Sequence, residues 1–149
     1  MITIKNQQRR YSLDLAGMKK TVAKILTLLD YEDFDIGILL TNNKRIRRYN
    51  RDFRNKDKAT DILSFSYHHE LKAGKRIKVA EEEDKNLGDL ILSIEYVDEA
   101  AKNLNVSLDE RIKVLLVHGI CHLLGYDHES DADWRSMRAK EAYLLKRLG

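Results

Sequence analysis

An apolar segment in the C-terminal third of the chain carries three histidines with the spacing H-x3-H-x5-H, in the sequence HGICHLLGYDH from His118 to His128. Residues 107–110 match the S-x-x-E capping box that begins helices, and Gly125 is a typical helix terminator. The residues between them are therefore predicted to form one long helix, with His118 and His122 one turn apart on the same face. Two imidazoles without hydrogen-bond or metal partners in a leucine-rich interior would each destabilise the fold by roughly 1–3 kcal/mol. The two rings are therefore expected to have such partners.

The three histidines are predicted to bind one metal ion. Gly125 permits the positive φ that ends the helix, so the chain is able to fold back and bring His128 toward the other two rings. Three neutral imidazoles suit a tetrahedral ion with bonds of roughly 2.0–2.1 Å, and they leave one coordination position free, as in catalytic zinc sites. We therefore predict Zn²⁺ at His118, His122 and His128, although Ni²⁺, Co²⁺ and Cu²⁺ also accept this donor set. The alternative interpretation is a set of hydrogen-bonded core histidines.

Two neighbours of the histidines have more than one interpretation. Asp127 is either a hydrogen-bond partner that orients one of the imidazole ligands or a turn residue after Gly125. Cys121 is predicted to be a small buried hydrophobic residue, since a thiolate ligand would close the free position. As the only cysteine of the chain it excludes an intramolecular disulfide, which favours a reducing, cytoplasmic location.

The histidine spacing also matches the HExxHxxGxxH sequence of metzincin proteases. In this chain Gly119 stands where those proteases have their glutamate general base. Without that base a zinc-bound water is not activated in the usual manner. A zinc metallopeptidase-like hydrolase is therefore an alternative that the spacing favours and Gly119 disfavours.

Basic residues are concentrated in the first part of the chain. Residues 1–60 contain 14 Lys and Arg against 7 Asp and Glu, whereas the net charge of the whole chain is only +3. The stretch 44–58 alone holds eight bases, two acids and two aromatic residues. Such a density is typical of binding to a polyanion, because each Lys or Arg near a phosphate displaces condensed counterions. A solvated helix face is the alternative.

Hydrophobic periodicity predicts a single α+β domain over residues 1–149. Strands are predicted at residues 2–5, 34–40, 61–67 and 87–94. Besides the histidine helix, we expect helices at 14–29, from about Asn42 to about Asp52 with Ile46, Tyr49 and Phe53 as its apolar stripe, from the last strand to about 104, and at 131–148. Residues 71–85 are predicted to be irregular. No apolar run approaches the roughly 20 residues that a bilayer requires, so no membrane partner is expected.

The segment from His118 to His128 resembles the signature H-G-x-x-H-L-x-G-Y-D-H of the YbeY-type family, the bacterial rRNA maturation endoribonucleases. Two further blocks are similar to this family in the same order: FRNKDKATDILSF at 53–65 to Y-R-x-K-D-x-x-T-D-V-L-S-F, and LGDLILS at 87–93 to L-G-D-I-x-I-S. The three blocks are spread over the chain from Arg54 to His128. The family usually has proline where this chain has Ser66, a departure that concerns the rigidity of a strand end rather than the chemistry.

The resemblance implies a zincin-like fold, with a small mixed β-sheet packed with helices and a central helix carrying the His-x3-His pair. It also implies zinc held by the three signature histidines and cleavage of single-stranded rRNA in 16S rRNA 3′-end maturation, ribosome assembly and quality control, with the small ribosomal subunit as partner. The functional arginine of the family falls on Arg54, and a guanidinium is suited to stabilise a phosphodiester transition state. Contacts to the RNA backbone are then expected from Arg45, Arg48, Arg51, Lys56 and Lys58.

The sequence leaves alternatives for the nucleophile, for the general base and for the function class. The attacking group is either water or the 2′-hydroxyl of the RNA, and no residue is assigned as general base. A non-catalytic ribosome-binding protein with a structural metal is the third function class beside the ribonuclease and the peptidase.

Overall fold

The computed structural model describes residues 1–149, in which strands and helices alternate along most of the chain. The strands are β1 (Ile2–Asn6), β2 (Asp35–Thr41), β3 (Ile62–Ser66) and β4 (Asn86–Ser93). The helices are α1 (Leu15–Leu28), α2 (Asn43–Arg54), α3 (Ile94–Asn103), α4 (Leu108–Leu123) and α5 (Asp131–Leu148). The predicted irregular stretch contains only a short 3-10 turn at Glu82–Asp84. None of the helices is long and apolar enough to cross a lipid bilayer.

The four strands form one mixed sheet in the order β1-β2-β4-β3. β1, β2 and β4 run parallel, whereas β3 pairs antiparallel with β4 and forms one edge of the sheet. The predicted α+β class with a small mixed sheet is therefore confirmed. Because β3 is an edge strand, some of its backbone carbonyls are free to accept hydrogen bonds from side chains.

The histidine helix α4 lies at the centre of the molecule, where it contacts β3, β4, α1, α3 and α5. Gly119 packs tightly against the sheet: a Cβ atom at this position would lie 2.7 Å from Ile62 Cδ1 and 2.8 Å from Leu90 Cδ2. Leu116 and Ile120 are fully buried, and so is Cys121, as predicted. The apolar side of α4 therefore builds the core and leaves its histidine side toward the surface.

The two ends of α4 form as the sequence predicts, with one difference. The Ser107 hydroxyl accepts the backbone N–H of Glu110, but the Glu110 carboxylate binds Lys113 instead of returning to the cap. At the other end Gly125 has a φ of +89°, and a Cβ there would collide with the backbone of Leu71. Only glycine fits this turn, which directs the chain toward His128.

Helix α2 covers part of the opposite face of the sheet. Ile46 is fully buried and packs with Leu63 and Ile91, and Tyr49 is half-buried against this small cluster. Phe53, the last residue of the expected apolar stripe, is 66% exposed. Its ring centroid lies 6.3 Å from that of Tyr49 and 5.6 Å from that of Phe65, and the ring lines an open hollow on the sheet face instead of the core. The prediction of an apolar stripe on α2 is therefore confirmed for Ile46, which is buried, and wrong for Phe53, which is exposed.

Candidate metal centre

The imidazoles of His118, His122 and His128 converge at the surface end of α4. One ring nitrogen from each lies within 4.8 Å of the others, and the Nε2 atoms of His118 and His122 are 3.1 Å apart. His118 and His122 are half-buried, whereas His128, in the turn after Gly125, is exposed. The helical spacing thus places two nitrogens together, and the glycine turn brings the third within reach.

This donor set fits a tetrahedral metal ion. Two nitrogens bound to one zinc ion at roughly 2.0–2.1 Å are separated by about 3.4 Å, close to the 3.1 Å between the two Nε2 atoms. Burial lowers the pKa of His122, and the neighbouring His118 and His128 lower it further. A lowered pKa keeps His122 neutral at physiological pH, which is the form that binds a metal.

Glu141 of α5 holds the His118 ring from behind. Its Oε2 atom lies 2.9 Å from His118 Nδ1, and its side chain is only 15% exposed. Because a carboxylate only accepts hydrogen bonds, His118 donates from Nδ1 and its Nε2 lone pair faces His122. Glu141 is absent from the sequence predictions. Its signal was an acidic residue between the buried Met137 and Leu144 of the same helix.

Asp127 acts on the backbone next to the third histidine. Its Oδ1 atom accepts a hydrogen bond from the His128 backbone N–H at 2.8 Å and lies 4.0 Å from Nδ1 of the His128 ring. The carboxylate therefore shapes the turn that carries His128, and its distance to the ring exceeds a hydrogen bond. The contacts of Asp127 are thus those of the turn residue, and it makes no hydrogen bond to an imidazole.

A cleft of about 630 Å³ contains the three imidazoles together with basic residues from the α2–β3 segment. Arg54, Lys56 and Lys58 line it, along with Asp61 and Asp127. The Arg54 guanidinium donates to the Ser64 carbonyl on the free edge of β3 and lies 5.3 Å from the centre of the Phe65 ring. The cleft thus brings a guanidinium and two ammonium groups together with the three imidazoles.

Asn50 positions the segment that carries the two lysines. It is 3% exposed, and its Nδ2 atom donates to the Lys58 carbonyl at 2.9 Å. Asn55 ends α2 in a left-handed conformation with a φ of 57°, so the chain turns back immediately after Arg54. A buried amide in the middle of a basic helix is a signal that the sequence predictions did not use.

Three of the arginines expected to contact RNA do not line this cleft. Arg45 donates to Gln7 Oε1 at 2.9 Å in a separate surface hollow, and Arg51 is paired with Asp52 at 2.9 Å. Arg48 is exposed on α2. The basic stretch is therefore divided between the cleft, which receives Arg54, Lys56 and Lys58, and the outer surface of α2.

Ser66 joins the end of β3 to the end of α4. Its hydroxyl donates to the Leu123 carbonyl at 3.0 Å, immediately after His122 in the helix. A proline at this position has no group that could make this bond. The Ser66 hydroxyl therefore ties the end of β3 to the last turn of α4.

Comparisons with known proteins find relatives over nearly the whole chain. The family described as Endoribonuclease YbeY matches residues 3–149. The Endoribonuclease YbeY of Homo sapiens is 36% identical over 148 residues, 99% of this chain and 88% of that protein. That of Caldicellulosiruptor bescii is 38% identical over 154 residues, 99% and 97% of the two chains.

A solved structure shows the same fold. The solution structure of TM1509 from Thermotoga maritima matches with a TM-score of 0.67 and 24% sequence identity, over 99% of this chain and 89% of that one. The family match and the relatives span nearly the whole sequence, including the residues of the histidine cleft. The chain therefore belongs to the YbeY endoribonuclease family.

Proposed function

We propose that residues 1–149 form a metal-dependent endoribonuclease domain that cleaves single-stranded rRNA in 16S rRNA 3′-end maturation, ribosome assembly and quality control. The observation that carries this proposal is the shared cleft of His118, His122 and His128 with Arg54 and the two lysines. Membership of the YbeY family supports RNA as the substrate class. The proposed partner is the small ribosomal subunit, in the cytoplasm.

His118, His122 and His128 are the proposed ligands of one divalent cation, with zinc as the first choice and nickel as an alternative. Such a cation supplies Lewis acidity toward a phosphate oxygen and toward water. Glu141 keeps the His118 Nε2 lone pair directed at the site, and Asp127 fixes the turn that carries His128. These two carboxylates hold the ligands, so less reorganisation is needed when the cation binds.

Arg54 is the proposed catalytic residue for the phosphate. Phosphodiester cleavage builds negative charge on the non-bridging oxygens, and a guanidinium is able to meet two of them at once. The bond to the Ser64 carbonyl and the contact with Phe65 limit the freedom of the Arg54 side chain beside the cleft. Lys56 and Lys58 hold the adjacent backbone phosphates, while Arg45, Arg48 and Arg51 extend the basic path over α2.

The other two function classes have less support. In a peptidase the glutamate base would replace Gly119, where even a Cβ would meet Ile62 and Leu90 at less than 3 Å. A purely structural metal usually has four protein ligands. Here the converging set has three, and Cys121 is buried outside it.

The test is cleavage of a single-stranded RNA fragment from the 3′ end of small-subunit RNA. Arg54→Ala is expected to reduce the turnover number roughly 100-fold or more while zinc binding stays unchanged. Arg135→Ala is the matched control, because Arg135 is an exposed arginine of α5 that does not line the histidine cleft. Equal activity of Arg54→Ala and wild type, or casein cleavage that survives this substitution, would contradict the proposal.

The same assay separates the two nucleophiles. A substrate with a single 2′-deoxy nucleotide at the cleavage position is cut only if water attacks. Loss of cleavage at that position assigns the attack to the 2′-hydroxyl of the RNA.

A further inference from the structure

A second cleft adjoins the metal centre. It has a volume of about 470 Å³ and lies between α4 and α5. His118, His128 and Asp61 line both clefts, so the imidazoles stand at the junction between them. The polar and aromatic residues that belong to the second cleft alone are Arg111, Trp134, Arg138 and Glu141.

Trp134 supplies an aromatic surface in this cleft. It is the only tryptophan of the chain and is 50% exposed, although it belongs to the first turn of α5 beside the apolar core. The Arg138 guanidinium, one helical turn later, lies 4.9 Å from the centre of the indole. An indole beside a guanidinium is a combination on which nucleic-acid bases stack in single-stranded binding sites.

The charges of the second cleft leave Arg138 free for a phosphate. No carboxylate lies within 4.0 Å of Arg138, whereas the two acids of the cleft are already engaged. Asp61 accepts the Ile62 backbone N–H and faces Arg111 at 4.0 Å, and Glu141 binds His118. Arg111 adds a buried Nε atom without a hydrogen-bond partner.

An endonuclease has to hold its substrate on both sides of the bond that breaks. Arg54, Lys56 and Lys58 line only the first cleft, and the second cleft adjoins it at His118 and His128. We propose that the α4–α5 cleft binds a nucleotide of single-stranded RNA next to the metal centre, with its base stacked on Trp134 and its phosphate at Arg138. This assignment rests on the proposed ribonuclease function and adds the second half of the substrate path.

Intrinsic fluorescence tests this directly, because all tryptophan emission comes from Trp134. The full-length protein is titrated with a short uridine oligonucleotide in EDTA, which prevents metal-dependent cleavage. We expect saturable quenching, roughly tenfold weaker binding for Trp134→Ala in an anisotropy assay, and recovery of most of that affinity in Trp134→Phe. Arg138→Ala is expected to weaken binding several-fold and to reduce its salt dependence. Arg135→Ala, which removes an equal charge outside the cleft, changes affinity much less.

The outcomes separate this assignment from the proposed function. If wild type cleaves RNA while Trp134→Ala and Arg138→Ala bind it as tightly as wild type, the second cleft is not a nucleotide site and the proposed function stands. If Trp134 emission is quenched as predicted but the metal-loaded protein never cleaves RNA, the nucleotide site in the second cleft stands, whereas the proposed function and the substrate path that rests on it fail. Unchanged RNA affinity together with loss of a ribosomal protein contact in Trp134→Ala would make the cleft a protein-binding surface and overturn the assignment.

Discussion

The contact between Glu141 and His118 makes a quantitative prediction about metal affinity. Glu141→Gln keeps the size and shape of the side chain but removes its charge, and its amide is able to donate to Nδ1 as well as to accept. Donation to Nδ1 favours the tautomer that carries its proton on Nε2, the atom that faces His122. Loss of a residue that hydrogen-bonds a metal-ligating histidine generally lowers metal affinity 10- to 100-fold, or by about 1.4–2.8 kcal/mol.

The side chain of Glu141 is only 15% exposed and its bond is 2.9 Å long, so water replaces this contact poorly. We therefore expect zinc affinity of Glu141→Gln to fall by roughly 10- to 100-fold. The measurement is competition with a chromophoric chelator, accompanied by the visible absorption spectrum of the cobalt-loaded protein, which reports ligand geometry. Glu99→Gln is the matched control, since Glu99 is an exposed helical glutamate on α3.

An affinity of Glu141→Gln within a factor of two or so of wild type would refute this reasoning. It would show that the His118 ring is held by helix packing alone. A stability measurement on the metal-free variant separates the two explanations. A loss of fold would lower the urea midpoint before any metal is added, whereas a positioning role leaves that midpoint nearly unchanged.

Three further substitutions or conditions test the packing around the site. Gly119→Ala is expected to destabilise the protein by roughly 1–3 kcal/mol in urea titrations, because its Cβ would press on Ile62 and Leu90; a neutral effect would contradict the tight helix–sheet contact. Asn50→Ala leaves the Lys58 carbonyl without its partner, and a cost of about 1–3 kcal/mol is expected by the same method; no loss would mean that water replaces the amide. Burial raises the pKa of the Cys121 thiol to about 12, so the native protein keeps a proton that the unfolded chain loses above the ordinary value of 9.0. Stability is therefore expected to fall between those two pH values, and an aromatic disulfide reagent is expected to react with Cys121 near pH 8 only after unfolding.

Much of the structure follows from local patterns in the sequence. The i, i+4 spacing alone places His118 and His122 on one face of α4, and the positive φ of Gly125 is what brings His128 back to them. Helix caps are equally local, as Ser107 shows. These features were predictable because each depends on residues that are close along the chain.

The features that the sequence did not yield depend on how separate elements cross. Glu141 reaches His118 over 23 positions, and the contact exists only because α5 packs against α4. Phe53 fits a helical apolar stripe, but its exposure depends on how much of the sheet face α2 covers, and its ring lines an open hollow on that face. The cleft beside Trp134 likewise arises from two helices whose relative placement no local pattern specifies.

The central claim is that three imidazoles coordinate one metal ion and leave one coordination position open. X-ray absorption at the zinc edge of the loaded protein measures this. We expect three nitrogen ligands at roughly 2.0–2.1 Å and one exchangeable oxygen donor, with stoichiometric zinc lost in His122→Ala. A sulfur ligand at about 2.3 Å, or full zinc occupancy in His122→Ala, would contradict the account.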